Sequence, residues 1–222
     1  MSPPQLINNT GQYGEFVLVQ SNPALEGGAV MDDWTHDAVI WTLTLHEARP
    51  GHELQFASLV ENGTSLARAL FAFNSANAEG WGLYAEFIMQ QYLPPEAQLF
   101  SHFALAWRAA RMFLDPMVNT GQLTPEQVVG FLTGQLALSQ PMASSEADRC
   151  AFRAPGQATS YYYGFMSILG LRTELEIALG NNFNPREFHD FIIEQGLLQP
   201  SLLREAALAH FLRDGDEKQS GN

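Results

Sequence analysis

Two short stretches concentrate the chemistry of this chain. His46-Glu47-Ala48-Arg49-Pro50-Gly51-His52 places two imidazoles and a carboxylate close together, and Glu79-Gly80-Trp81-Gly82-Leu83-Tyr84-Ala85-Glu86 begins 27 residues after His52. These are the parts of a hydrolytic zinc site, with His46, His52 and Glu79 as ligands and Glu47 as the base. Such sites use three protein ligands and leave a fourth position open for water. A neighbouring carboxylate takes the proton from that water.

The spacing departs from the usual H-E-x-x-H, in which both imidazoles share one helix face. His52 lies six positions after His46. Six residues of regular helix turn through about 600°, which would point the two rings roughly 120° apart. Pro50 and Gly51 offer a remedy, because proline interrupts the amide ladder and glycine accepts bulged or left-handed backbone. If those two residues loop out, His46 and His52 regain an effective i,i+4 relation. A positive φ at Gly51 is then expected, and Gly51→Val should do more harm than Gly51→Ala. The alternative is that Pro50-Gly51 simply ends a helix, with the histidines near its end. In the second stretch, Glu79 and Glu86 fall within about 20° of each other on a helix. Their apolar surroundings make two carboxylates costly unless they are paired or bound to a cation.

The chain resembles the C-terminal half of the bacterial DUF885 family, which in turn resembles gluzincin-type zinc metallopeptidases. His46-Glu47-Ala48-Arg49-Pro50-Gly51-His52 with Gln55 is similar to the family's H-E-x-x-P-G-H-x-x-Q, and Glu79 to Glu86 is similar to its E-G-W-x-x-Y-x-E. Pro155-Gly156-Gln157-Ala158 with Tyr161 and Gly164 matches P-G-Q-A-x-x-Y-x-x-G, and Phe188-His189-Asp190 with Gly196 matches the closing F-H-D segment. The chain departs from the family at Glu53, Tyr162 and near Asn119, where histidine, lysine and histidine are common, and Cys150 replaces an aromatic.

The resemblance implies a gluzincin-like catalytic domain acting on a peptide or small amide, with Glu86 orienting a ligand from behind. It singles out Tyr161 and His189 as donors to a developing oxyanion. Asp115 would orient a metal ligand. Arg149 and Arg172 could hold a substrate carboxylate in arginine's forked geometry, or could equally neutralise glutamates such as Glu146 or Glu174. It also implies a missing N-terminal half. A non-catalytic metal- or partner-binding module, or a hydrolase of another amide or ester, would carry the same motifs.

The elements expected to position these residues are almost all helical. With 222 residues, 46% of them hydrophobic, the chain can bury one sizeable core, and no linker divides it, so residues 1–222 read as a single domain. Residues 1–13 and 214–222 read as loosely ordered. One edge strand or hairpin is expected at Glu15-Phe16-Val17-Leu18-Val19-Gln20. Helices follow over about 34–60, 65–92, from 95 past Arg111 with a kink at Pro116, from the capping box Thr124-Pro125-Glu126-Gln127, from Ser144 or Ser145 to Arg153, over 157–179, from Asn184-Pro185 to Gly196, and from Ser201.

A net charge of −13 with only 11 Lys and Arg disfavours nucleic acid and anionic membranes as partners. A homo-oligomer is compatible with everything above. The single cysteine excludes an internal disulfide. No signal peptide or transmembrane run is evident, which is compatible with bacterial cytoplasm or periplasm.

Overall fold

The structure, a computed structural model, describes residues 4, 10–16, 33–62 and 65–213. Among these residues the architecture is helical. The α-helices are α1 (Asp37–Glu47), α2 (His52–Glu61), α3 (Leu66–Phe71), α4 (Ser75–Met89), α5 (Pro95–Asn119), α6 (Pro125–Leu136), α7 (Gln140–Asp148), α8 (Thr159–Leu179), α9 (Pro185–Glu194) and α10 (Pro200–Leu208). Of the expected edge strand, Glu15 forms an isolated bridge and Phe16 is irregular, while residues 17–20 lie outside the described residues.

Local chemistry explains most boundaries. Thr124 accepts from the Gln127 amide at 3.3 Å and Gln127 returns a bond to the Thr124 amide at 2.8 Å, so the expected capping box opens α6. Gly180, at φ 53°, closes α8, and Gly196, at φ 71°, follows the end of α9. Two expectations are corrected. The helix expected over 65–92 breaks at residues 72–74, because Asn74 caps α4 by accepting from the Asn77 amide. The helix expected to start at Ser144 or Ser145 starts earlier, where the Ser139 hydroxyl accepts from the Met142 amide. As expected, α5 continues past Arg111, and it carries Pro116 inside it to end at Asn119.

Two apolar clusters hold the bundle. One gathers Trp81 and Tyr84 of α4 with Phe165, Ile168 and Leu171 of α8 and Phe188 and Ile192 of α9. The other joins Trp107 and Leu114 of α5 to Val128 and Leu132 of α6 and Met142 of α7. The closest crossing is α4 on α8. A Cβ on Gly80 would lie 2.4 Å from the Gly164 backbone, and one on Gly164 would lie 1.7 Å from the Ala76 carbonyl oxygen. Both obstacles are backbone, so no side-chain adjustment can relieve them.

The consequence is measurable. Gly164→Ala should destabilise the chain by about 3 kcal/mol or more, at the upper end of overpacking costs. Gly130→Ala, in the exposed interior of α6 where an added Cβ meets nothing within 4 Å, should instead stabilise it by about 0.5–1 kcal/mol. Urea unfolding of the two variants side by side checks both signs.

Candidate metal centre

The segment joining the two histidines is a true break, larger than a bulge within one helix. Ala48 N still donates to Thr44 O at 2.9 Å, but Glu53 N reaches back five residues to Ala48 O at 3.2 Å, and α2 restarts with Gln55 N on Gly51 O. Gly51 has φ −76° and ψ −133°, so the positive φ expected there is not found. Glycine is needed for a different reason. A Cβ would fall 1.9 Å from the His46 carbonyl oxygen and 2.4 Å from that of Leu45. Since the first carbon of any side chain collides, Gly51→Ala should be as harmful as Gly51→Val, which reverses the ordering expected from the sequence. Trp81 of α4 stabilises the break by donating its indole N–H to Pro50 O at 2.9 Å.

The break brings the His46 and His52 ring centroids to 4.7 Å. One ligand atom each of His46, His52 and Glu79 lies within 4.8 Å of the others, the cluster of this kind found among the described residues. His46 Nε2 is 3.3 Å and His52 Nε2 is 3.5 Å from the same oxygen, Glu79 Oε2. These separations are longer than the about 2.7–2.9 Å of a charge-assisted hydrogen bond. They equal the edge of a tetrahedron with metal–ligand bonds of about 2.0–2.2 Å, which is about 3.3–3.6 Å. Two imidazoles and a carboxylate, with two of their three separations in that range, are a donor set that could hold a divalent ion such as zinc.

Behind the trio, His46 Nδ1 meets Glu86 Oε1 at 2.7 Å, a normal short hydrogen bond. With Nδ1–H donated to Glu86, the Nε2 lone pair is turned toward Glu79 and His52, the usual way a carboxylate fixes a metal-binding imidazole. The ring lies flat on α4 because residue 82 is glycine. A Cβ there would sit 2.5–2.8 Å from three of its atoms. Arg108 of α5 donates to Glu86 Oε1 at 3.3 Å.

Other predicted residues divide into those that join the cluster and those that do not. Glu47 ends α1, half-buried and next in chain to His46. Tyr161 of α8 stacks over the His46 ring at 6.0 Å between centroids, and its hydroxyl accepts from Arg149 Nη2 at 3.2 Å. Burial and the Glu79 carboxylate raise the Tyr161 pKa, keeping its proton in place. Arg149 lies in a turn of π-helix at Arg149–Arg153, where it also bonds Gln157 and pairs with Glu146 at 3.5 Å.

Asp115 touches none of the three ligands. It is fully buried and accepts from the Gly156 and Ala158 amides at 2.8 and 3.0 Å, pinning the turn that carries Gln157. Gln157 Nε2 then reaches Glu79 Oε1 at 3.3 Å. His189 and Arg172 belong to another network. His189 Nε2 bonds the Tyr84 hydroxyl at 2.9 Å, and Arg172 donates to that hydroxyl at 2.9 Å and pairs with Glu176, not Glu174. Tyr84 stands about 140° around α4 from Glu79, so this network faces away from the trio.

Sequence reasoning gave no role to Gln157, Gly82 or Arg108. Gln157 and Gly82 lay inside recognised motifs. Arg108 was signalled by a buried polar stripe, Arg108, Arg111 and Asp115, at i, i+3, i+7 on an otherwise apolar face of α5. Gln55, also inside a motif, bolts α2 to α4 through Asn77 Oδ1 at 3.0 Å.

The electrostatics set a pH dependence. In the metal-free chain, burial opposes charge on His46, but Glu79 and Glu86 outweigh it and push its pKa up to about 9. Burial likewise works against the charge on Glu79, yet His46 and His52 hold it well below the usual carboxylate range. A raised imidazole pKa stabilises the fold fully below the unfolded value of 6.5, and that contribution is lost as pH rises through about 9. Metal-free protein should therefore lose on the order of 3 kcal/mol between pH 6 and 9.5, read by urea unfolding. Zinc must displace the same proton, so its apparent affinity should rise about tenfold per pH unit up to about pH 9. Gly82→Ala, which crowds the ring, should weaken zinc binding about tenfold or more in the same assay.

No curated protein matches the chain. A crystal structure of a "putative lipoprotein" from Colwellia psychrerythraea matches with TM-score 0.74 at 28% identity, over 80% of this chain and 31% of the other. A "putative lipoprotein of unknown function" from Shewanella oneidensis matches with TM-score 0.79 at 23% identity, over 94% of this chain and 40% of the other, a likeness of fold. The chain thus spans about a third of the length of one relative and two fifths of the other. Among the described residues no helix is long and apolar enough to cross a membrane. The sequence profile of the family described as "Bacterial protein of unknown function (DUF885)" matches residues 1–206, and the chain belongs to that family.

Proposed function

We propose that this chain is the metal-binding domain of a zinc-dependent hydrolase, with a peptide bond as its substrate. The observation that carries this reading is the pair of ligand-to-ligand separations, 3.3 and 3.5 Å, from Glu79 Oε2 to two histidine nitrogens, with His46 oriented from behind by Glu86. His46, His52 and Glu79 would hold the ion. Bound there, zinc supplies a Lewis acid for a carbonyl oxygen and makes water acidic enough to act as a nucleophile near neutral pH.

The remaining work falls to the protein. The Glu47 carboxylate takes the proton from the attacking water and returns it to the leaving nitrogen. Because the Tyr161 oxygen already accepts from Arg149, its own hydrogen remains to be given to the oxygen that becomes negative. Gln157 steadies the Glu79 oxygen that faces away from the histidines. An amide or ester outside the peptide class would be served by the same groups, and a substrate panel separates these.

His46→Ala or His52→Ala should abolish stoichiometric zinc, measured by elemental analysis of protein purified without affinity metal. Glu47→Gln should keep the zinc and lower hydrolysis by about 10²–10⁴-fold. Full zinc content in both histidine variants would overturn the ligand assignment, and unchanged hydrolysis in Glu47→Gln would place the base elsewhere.

A further inference from the structure

Arg108 is the one member of the buried α5 stripe whose presence the fold does not explain. It is 4% exposed, and its Nη2 donates to Glu86 Oε1 at 3.3 Å. Its guanidinium carbon lies 5.8 Å from the centroid of the Trp34 ring. Among the described residues its Nε and Nη1 have no hydrogen-bond partner. Arg111 and Asp115, by contrast, meet a carboxylate at 2.6 Å and two backbone amides. A buried cation with a single, rather long ion pair contributes little to stability, and an apolar side chain of similar size would fill the space at lower cost.

The partner of Arg108 supplies a reason for it. Glu86 Oε1 accepts from both Arg108 Nη2 and His46 Nδ1. One carboxylate oxygen is thus held between a fixed cation and the imidazole it orients. Without the guanidinium, the carboxylate keeps as side-chain partner, among the described residues, only the ring it is meant to steer, and either group can turn. We propose that Arg108 is a positioning residue for the metal centre, acting on His46 through Glu86. This inference rests on the reading of His46, His52 and Glu79 as ligands.

Zinc affinity of the full chain, measured by competition with a chromophoric chelator, tests it through a double-mutant cycle. Arg108→Met and Glu86→Gln should each weaken zinc by about 10–100-fold, the usual cost of losing an outer support of a ligand. The double variant should bind within about threefold of Glu86→Gln alone, because Arg108 has nothing left to act through. A merely structural role would make the two losses multiply, and that result, or wild-type affinity in Arg108→Met, would overturn the proposal while leaving the ligand assignment standing. Failure of the unaltered chain to bind zinc would overturn both. Should Arg108→Met not fold, Arg108→Lys and Arg108→Gln carry the comparison. Lysine should keep affinity within about threefold and glutamine should lose about tenfold or more, whereas equal losses would refute a role for the charge.

Discussion

The hydrogen bond between His46 Nδ1 and Glu86 Oε1, 2.7 Å long and buried from solvent on both sides, is the contact around which the rest is arranged. It joins the last turn of α1 to the last turn of α4, and it can form only if the ring lies against the α4 backbone. Gly82 permits that approach. For His52 to reach the same place, the chain must leave α1 and re-enter α2 within four residues, folding back so tightly that Gly51 has no room for a Cβ. The break exposes carbonyls that a continuous helix would have satisfied internally. Trp81 covers this by donating to Pro50 O, so the two motifs are physically coupled and not simply adjacent.

A largely apolar bundle pays for such a site by compensating charge along a continuous path. From one end, Asp115 neutralises backbone amides of the 156–158 turn, and that turn aims Gln157 at Glu79. From the middle, Arg111 at 2.6 Å and Arg149 at 3.5 Å share Glu146, and Arg149 passes to the Tyr161 hydroxyl. From the other end, Arg108 meets Glu86. Helical periodicity puts all three α5 members on one face, which is why a single helix can serve three separate parts of the centre.

This arrangement explains what was legible in the sequence and what was not. The clustering of His46, His52 and Glu79 could be read because imidazoles and carboxylates have few other uses at that density in apolar sequence. Caps such as Thr124 and stops such as Gly180 could be read because they act through neighbours in the chain. Asn74 was missed because a cap embedded in an apolar run looks like a polar interruption of one long helix. The role of Gly51 was misjudged because steric exclusion by carbonyls five and six residues earlier leaves no local sign, whereas a left-handed φ is the familiar reason for glycine. Asp115 was expected to orient a ligand directly but instead holds the 156–158 turn, since sequence gives no measure of how many contacts intervene.

His189 shows the same limit from the opposite side. A histidine in a family motif invites a catalytic role, yet rotation around α4 carries His189 away from the His46–His52–Glu79 cluster. Glu79, Gly82 and Glu86 define the face toward His46, while Tyr84 lies about 140° away and takes His189 with it. Arg172 donates to the Tyr84 oxygen, His189 Nε2 is hydrogen-bonded to the same hydroxyl, and burial together with the Arg172 charge lowers the histidine pKa. A ring nitrogen already engaged by Tyr84 is not free to serve an oxyanion. Tyr161 stacks on His46, keeps its hydrogen and is held by a cation that accepts nothing. Between the two candidates, geometry and proton inventory both favour the tyrosine.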